Sequence, residues 1–255
     1  MNGRRWGALG ERTMSGEQGV ATVVLVHGAF GGAWWWDATS AALADLGIES
    51  VSVELPTIGE GVDPSLDFHA DAEYVREILG GLDGPIVLCG NSYGGVVITE
   101  ASAGAHNVVR LIYLAAFMLD EQDEVPGALL TNCTPEFLGG FAFGDNGLAT
   151  FDRNTAKDVV FNQAPREVAQ AAVDQLRPMA LGLGSTTTVT AAGWRDIPST
   201  YVICSNDRSL QPDAQRRWAA QRATESIELP YDHCPQMSSP REIAELLASA
   251  AATTD

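Results

Sequence analysis

The hydrophobic pattern of the chain switches repeatedly between the period of a strand and that of a helix. Short runs rich in valine, isoleucine and leucine are typical of buried strands. Six such runs lie at residues 21–27, 49–55, 86–88, 108–116, 200–204 and 226–229. Helical patterns follow in the stretches that end near residue 47, at 68–79, directly after 94, at 165–176, at 212–223 and from 240 onward. This alternation predicts an α/β fold with a mostly parallel sheet flanked by helices.

The alternation is interrupted between about residues 121 and 190. Glycine and proline are frequent there, apolar residues are scattered, and helical stretches are short. We interpret this segment as a mainly helical cap inserted into an α/β domain of residues 21–255. Residues 1–20 contain arginines but no apolar stretch, which excludes a secretory signal there. They are interpreted as a disordered leader, within which Met14 is a candidate internal start.

Charge and cysteine content narrow the class of partner. The 255 residues include 33 Asp and Glu against 15 Lys and Arg, a formal net charge of -18. This argues against nucleic acid and anionic membrane as partners, because both are polyanions. Four scattered cysteines and the lack of a membrane-spanning run indicate a cytoplasmic protein with reduced thiols. No metal or cofactor is expected because no ligand spacing or cofactor motif is found; the oligomeric state is open, a homodimer included.

The stretch I-V-L-C-G-N-S-Y-G-G-V-V at residues 86–97 places the pattern G-x-S-x-G between a strand and a helix. Such a turn is so tight that the residues two before and two after the serine must be nearly free of side chain, as Gly90 and Gly94 are. It raises Ser92 Oγ at a helix N-terminus, where the helix dipole favours developing negative charge. Ser92 is therefore the predicted nucleophile. The alternatives are an incidental serine in a glycine-rich turn and a dinucleotide loop, whose fingerprint wants its second glycine where Ser92 stands.

A serine nucleophile needs a base within hydrogen-bond reach and a carboxylate that orients the base. His233 is the predicted base because it follows the last predicted strand, in a loop at the same edge of the sheet as the serine. The acid should fall between Ser92 and His233 in sequence. Asp207, one short turn after the strand at 200–204, is the predicted acid, and Asp120 is its competitor.

Acyl transfer also requires amide donors that point at the oxyanion. Tyr93, the residue after the nucleophile, supplies one amide. The loop after the first strand supplies the other, and we expect Ala29 to be that donor, with Phe30 as the second choice. His27, at the start of this loop, is expected to help shape it.

Three motifs together resemble the α/β-hydrolase superfamily: V-L-V-H-G-A-F-G-G-A-W-W-W, G-N-S-Y-G-G and D-H-C-P-Q-M-S-S-P. Within it, the chain most resembles the branch of plant methyl-ester esterases, hydroxynitrile lyases and their bacterial relatives. The likeness runs from about residue 21 to the last helix and is loose in the cap. It implies Ser92, Asp207 and His233 as a catalytic triad, and a helical cap over the pocket.

Two positions separate the esterases of this branch from the lyases. The lyases carry threonine where this chain has Gly28, and lysine directly after the catalytic histidine, where this chain has Cys234. A lyase needs that lysine to hold and protonate departing cyanide. Lys157, in the cap, is the only lysine of the chain. Both positions match the esterases.

The expected pocket is apolar and is formed by Gly28, Phe30, Phe117, Met118 and Leu119 near the strand ends. The cap adds five candidate phenylalanines, at positions 137, 141, 143, 151 and 161. We therefore expect a small, largely apolar, uncharged carboxylic ester or lactone as substrate. Hydrolysis of a carbon–carbon or carbon–nitrogen bond by the same triad, lyase-like chemistry, and a ligand-binding receptor of this fold remain alternatives.

Overall fold

The computed structural model describes residues 20–181 and 187–252. Residues 1–19, which hold most of the predicted leader and Met14, lie outside the described residues. The strands are β1 (Thr22–Val26), β2 (Ser50–Val53), β3 (Ile86–Asn91), β4 (Val108–Leu114), β5 (Phe141–Phe143), β6 (Ala149–Phe151), β7 (Ser199–Cys204) and β8 (Glu225–Leu229). Six of them form the central sheet in the order β2-β1-β3-β4-β7-β8, and every neighbouring pair is parallel. Each predicted strand overlaps one of these six, which confirms the predicted α/β fold.

Helices connect the strands and cover the sheet. They are α1 (Asp37–Asp45), α2 (Phe68–Gly80), α3 (Gly94–Ala101), α4 (Val125–Asn132), α5 (Pro135–Leu138), α6 (Arg153–Thr155), α7 (Arg166–Asp174), α8 (Pro212–Arg222), α9 (Pro235–Ser238) and α10 (Pro240–Ala252). Among them, α1 packs against α10, and α2 packs against α3.

Strand β3 lies at the centre of the sheet and carries the nucleophile motif at its carboxyl end. All six of its residues are buried. Leu88 pairs with Val24 of β1 and with Leu111 of β4. A parallel strand that is covered on both faces needs a continuous apolar run rather than an alternating one. This is why the sequence reads I-V-L-C before the polar turn.

The residues between β4 and β7, numbered 121–190 and called the cap segment below, contain both helices and a hairpin. Strands β5 and β6 pair antiparallel, with Phe141 opposite Phe151. The sequence analysis expected short helices here and did not predict this hairpin. Its strands have three residues each, too few for a clear alternation. The Asn146-Gly147 pair is the signal that was available, since Gly147 takes the positive φ of 76° that a tight hairpin turn requires.

Hydrogen bonds fasten the cap segment to the α/β core. The Gln163 amide donates to Asp232 Oδ2 at 3.0 Å. The Thr190 amide donates to Glu100 Oε2 at 2.8 Å. The segment is therefore fixed to the histidine-bearing loop at one point and to helix α3 at another.

The four cysteines are buried free thiols. Burial raises the pKa of each of them, so the thiols stay protonated at neutral pH. None of the described helices is both long enough and apolar enough to cross a bilayer.

Candidate active site

The turn between β3 and α3 forces Ser92 into an uncommon backbone conformation. Its φ is 55°, in the left-handed region. A Cβ atom on Gly90 would lie 2.5 Å from the Gly94 carbonyl oxygen, and one on Gly94 would lie 2.6 Å from the Val26 carbonyl oxygen. Neither position has room for a side chain. The G-x-S-x-G pattern thus has the strand–turn–helix geometry of a nucleophile elbow.

Ser92, His233 and Asp207 form one hydrogen-bonded chain. Ser92 Oγ lies 2.8 Å from His233 Nε2, and His233 Nδ1 lies 2.7 Å from Asp207 Oδ2. All three residues are buried, with exposed fractions of 5%, 2% and 5%. A carboxylate only accepts hydrogen bonds, so His233 carries its proton on Nδ1 and leaves Nε2 free to accept from the serine. The structure thus brings together the three side chains that sequence order selected.

Asp207 is held in place by donors from the chain that follows it. Its Oδ1 accepts from the Ser209 amide at 2.7 Å and from the Leu210 amide at 2.9 Å. Its Oδ2 accepts from Gln215 Nε2 at 2.8 Å. The competitor Asp120 is engaged elsewhere, in an ion pair with Arg195 at 2.7 Å.

Asn91, the residue before the nucleophile, links the elbow to the histidine loop. Its Nδ2 donates to the Leu114 carbonyl at 2.8 Å and to the His233 carbonyl at 3.0 Å. Its Oδ1 accepts from Gln236 Nε2 at 3.0 Å. The sequence analysis did not identify Asn91, although a buried amide next to the nucleophile is a polar group that must find partners.

Ala29, Ser92 and Tyr93 line the same cavity. Among the described residues, neither the Ala29 amide nor the Tyr93 amide donates a hydrogen bond. Two unpaired amides beside a serine hydroxyl are the arrangement that stabilises a tetrahedral oxyanion.

His27 supports the loop that carries Ala29. Burial lowers the pKa of His27 to about 4, so its ring is neutral at physiological pH. Nδ1 lies 2.8 Å from the Gly28 carbonyl, and the Leu55 amide donates to Nε2 at 3.4 Å. The carbonyl only accepts, which places the proton on Nδ1.

Two cavities of very different size meet at Ser92. The larger one has a volume of about 310 Å³ and a lining that is almost entirely apolar. Its walls come mainly from the elbow and the cap segment: Ala29, Ser92, Tyr93, Val96, Phe117, Val125, Pro126, Leu129, Leu130, Phe137, Leu138, Phe141, Phe143 and Leu181.

The smaller cavity has a volume of about 20 Å³, and only this one touches His233. Aromatic side chains enclose it, among them Phe30, Trp35 and Phe161. A space of this size holds about one water-sized group.

The predicted pocket residues divide into two groups. Phe117 lines the larger cavity and Phe30 the smaller. Gly28, Met118 and Leu119 are not among the described residues that line either cavity, and the side chains of Met118 and Leu119 are almost fully buried. Their carbonyls accept hydrogen bonds from Arg222 and from Trp194, so the chain has already turned away from the cavity after Phe117.

Gly28 and Cys234 have distinct surroundings. A Cβ on Gly28 would lie 3.0 Å from Ser92 Cβ and 3.0 Å from Trp35 Cζ3, so a threonine there would crowd the nucleophile. Cys234 is buried behind His233, with Sγ 3.9 Å from Asn91 Oδ1. The described residues contain no cluster of His, Cys, Asp or Glu that would hold a metal ion.

Asp71 of α2 is a buried carboxyl that the sequence analysis did not identify. Its Oδ2 accepts from the Tyr93 hydroxyl at 2.6 Å and from the Thr57 hydroxyl at 2.7 Å. The Thr57 amide donates to Oδ1 at 3.0 Å. Burial raises the pKa of Asp71 to about 6, although these hydrogen bonds act to lower it. The group holds the ring of Tyr93 against the larger cavity.

Sequence comparisons find relatives along almost the whole chain. The model of the Alpha/beta hydrolase family matches residues 23–246. The alpha/beta hydrolase nvfD of Aspergillus novofumigatus is 29% identical over 245 residues, which cover 90% of this chain and 96% of that protein. A carbendazim hydrolyzing esterase of Nocardioides sp. is 28% identical, over 90% of this chain and 99% of its own. Putative methylesterase 14, chloroplastic, of Arabidopsis thaliana is 26% identical, over 89% and 71%.

Solved structures share the fold. A pyrethroid hydrolase from Sphingobium faniae JZ-2 superimposes with a TM-score of 0.79 at 24% identity, over 92% of this chain and 98% of its own. Polyneuridine aldehyde esterase gives a TM-score of 0.79 at 21% identity, over 91% and 99%.

The raised pKa of Asp71 predicts a pH dependence of stability. The folded protein binds this proton more tightly than the unfolded chain, whose carboxyl has a model value of 3.8. The contribution of Asp71 to the free energy of unfolding is therefore present below about pH 4 and is lost as pH rises to about 6, by roughly 3 kcal/mol. Urea unfolding of the wild type and of Asp71→Asn across this range measures the difference. Identical pH slopes for the two proteins would contradict the prediction.

Proposed function

Since this chain belongs to the alpha/beta hydrolase family and is a carboxylic ester hydrolase, we propose that it works through an acyl-enzyme formed on Ser92. In this proposal His233 is the base, Asp207 orients it, and the amides of Ala29 and Tyr93 bind the oxyanion. The observation that carries the proposal is the chain of hydrogen bonds at 2.8 and 2.7 Å from Ser92 through His233 to Asp207.

The chemistry follows from the protonation states of these groups. Ser92 Oγ attacks the ester carbonyl carbon while His233 Nε2 takes the hydroxyl proton, and the carbonyl oxygen becomes an oxyanion beside the two amides. Asp207 stabilises the imidazolium through Nδ1–H. When the tetrahedral intermediate collapses, His233 passes its proton to the alcohol oxygen and the alcohol leaves. Water, activated by His233, then attacks the acyl-enzyme and releases the acid.

The two cavities support an assignment of the acyl group and the alcohol of the ester to separate sites. The leaving alcohol must lie next to His233, which protonates it, and only the smaller cavity touches this residue. The acyl group then occupies the larger cavity of about 310 Å³. We therefore propose a substrate with a sizeable apolar acyl group and an alcohol as small as methanol, or a compact lactone.

The names of the relatives support this choice without deciding it. Several Arabidopsis relatives are called methylesterases, and the Nocardioides relative is a carbendazim hydrolyzing esterase. The crowding that threonine would cause at position 28 further favours ester hydrolysis over lyase-like chemistry.

The nucleophile is tested by labelling and by removal. A fluorophosphonate is expected to attach once, at Ser92, as read by peptide mass spectrometry. Ser92→Ala is expected to lower the turnover of a methyl ester by about 10³-fold or more, because the covalent route is lost. Undiminished hydrolysis by Ser92→Ala would refute the proposed function.

The acid is tested against its competitor. Asp207→Asn removes the charge that orients and stabilises His233, and we expect kcat to fall by about 10³–10⁴-fold. Asp120→Asn is the matched control, since it neutralises the carboxylate that pairs with Arg195, and we expect kcat to be unchanged. A larger loss in Asp120→Asn than in Asp207→Asn would overturn the assignment.

The division of the cavities is tested with methyl, ethyl and butyl esters of one apolar acid, and with methyl esters of a shorter and a longer apolar acid. Leu176 lines the smaller cavity and Leu129 the larger, and both are partly buried cap leucines. We expect the wild type to prefer the methyl ester. Leu176→Ala should raise the kcat/KM of the butyl ester relative to that of the methyl ester. Leu129→Ala should alter the dependence on acyl size alone. A shift in alcohol preference caused by Leu129→Ala, with none from Leu176→Ala, would reverse the assignment.

A further inference from the structure

The loop that carries the Ala29 amide contains a strained residue and a single long internal backbone hydrogen bond, from the Gly31 amide to the Gly28 carbonyl at 3.4 Å. Phe30, the next residue, has a φ of 63°. This left-handed conformation is unfavourable for a large side chain and persists only where the surroundings enforce it. The peptide units on either side of Phe30 contain the Ala29 carbonyl and the Gly31 amide. Relaxation of Phe30 would rotate both units and displace Ala29, whose own amide lies one peptide unit earlier.

Arg177, which follows α7 in the cap segment, binds this loop from the side of the cap. Its backbone amide donates to the Phe30 carbonyl at 3.0 Å. Its guanidinium donates twice to the Gly31 carbonyl, from Nε at 3.1 Å and from Nη2 at 2.6 Å. The two carbonyls that follow Ala29 are therefore both bound by one residue of the cap segment.

Glu54, just after β2, completes the contact from the core. Its Oε2 accepts from Arg177 Nη2 at 2.6 Å, and its Oε1 accepts from the Ala33 amide at 2.9 Å. The two side chains thus join a carbonyl at residue 31 to an amide at residue 33. The fit is close, because a Cβ on Gly32 would overlap Arg177 Nη2.

We propose that Arg177 and Glu54 form a clamp that positions the Ala29 amide for the oxyanion, so that the cap segment takes part in assembling the catalytic geometry. The inference rests on the proposed role of Ala29. Arg177 is a positioning residue, since it is not among the described residues that line either cavity. Its charge is balanced by Glu54, so the clamp acts through geometry rather than through a field at the substrate.

This role predicts a specific kinetic signature. The amide binds the oxyanion, which is present in the transition state and absent from the bound ester, so its displacement lowers kcat with KM unchanged. Removing an oxyanion donor costs about 10²–10³-fold in kcat. Displacing one without removing it should cost less, and we expect a loss of about 10–100-fold in Arg177→Met. Arg177→Lys keeps the backbone contact and one charged donor and should lie between Arg177→Met and the wild type.

The experiment compares Arg177→Met, Arg177→Lys, Glu54→Gln and the double variant Arg177→Met/Glu54→Gln on one methyl ester. Arg195→Met is the matched control, because Arg195 is also a partly exposed arginine in an ion pair with a carboxylate, that of Asp120, and neither residue contacts the oxyanion loop. A trifluoromethyl ketone that forms a tetrahedral adduct with serine serves as a probe of the oxyanion site. The free carboxylic acid product serves as a probe of ground-state binding.

Support requires a lower kcat with unchanged KM, a matching loss of ketone affinity, unchanged product affinity and no effect of Arg195→Met. The double variant should lose no more than Arg177→Met alone, because the two side chains act as one unit. A wild-type kcat in Arg177→Met, or a rise in KM alone, would refute the clamp. The proposed function would still stand if Ser92→Ala loses turnover as expected. If Arg177→Met does not fold, Arg177→Lys decides the question by the same readouts. Full activity in Ser92→Ala would remove the proposed function itself.

Discussion

The close contact between the backbone of the elbow and its neighbours is the constraint on which the site depends. A side chain on Gly94 would meet the carbonyl oxygens of Val26 and His27, at 2.6 and 2.8 Å. Val26 is the last residue of β1, and His27 begins the loop that carries Ala29. The spacing between the Ser92 hydroxyl and that loop is therefore set by peptide groups in direct contact, with no side chain between them to adjust it. A larger residue at position 94 would separate the two parts of the site at once.

Motifs that act through the backbone could be found from the sequence, and contacts between distant segments could not. The glycines around Ser92 identify the turn by themselves, because few other residues fit such a geometry. The choice between Asp207 and Asp120 was harder, since both follow a strand. Sequence order and the short turn after the strand favoured Asp207, whereas the ion pair that engages Asp120 joins it to Arg195, which lies 75 positions further along the chain and could not be foreseen.

The position of Met118 and Leu119 relative to the cavity could not be predicted from the sequence. Their position after a strand end suggested the pocket, but the direction of the chain there is decided by hydrogen bonds from Arg222 and Trp194. Asn91 and Asp71 were missed because an isolated polar residue within an apolar pattern carries no sign of its partners. The only sequence signal for the hairpin at 141–151 is its Asn-Gly pair. Side chains that unite separate loops become visible only once those loops are placed in space.

Buried carboxyl groups surround the site, and hydrogen bonds hold them in place. Asp71 meets Tyr93 and Thr57, and Asp232 accepts from the Gln163 amide and from the Ser238 hydroxyl at 2.8 Å. Burial raises the pKa of both groups. Neither is ion-paired with a lysine or arginine within the described residues. These hydrogen bonds connect α2 to Tyr93, and the cap segment to the loop that carries His233.

The four buried thiols are natural probes of local opening of the structure. A thiol-specific reagent reaches a buried cysteine only when the surrounding structure opens, so the rate of labelling measures the frequency of that opening. Cys89 lies in the central strand β3, and Cys204 lies at the end of β7. Cys234 directly follows His233, and Cys133 follows α4 in the cap segment. The natural sequence therefore reports separately on the sheet, the histidine loop and the cap. The order in which these parts of the native fold come apart can be followed without introducing a single foreign probe.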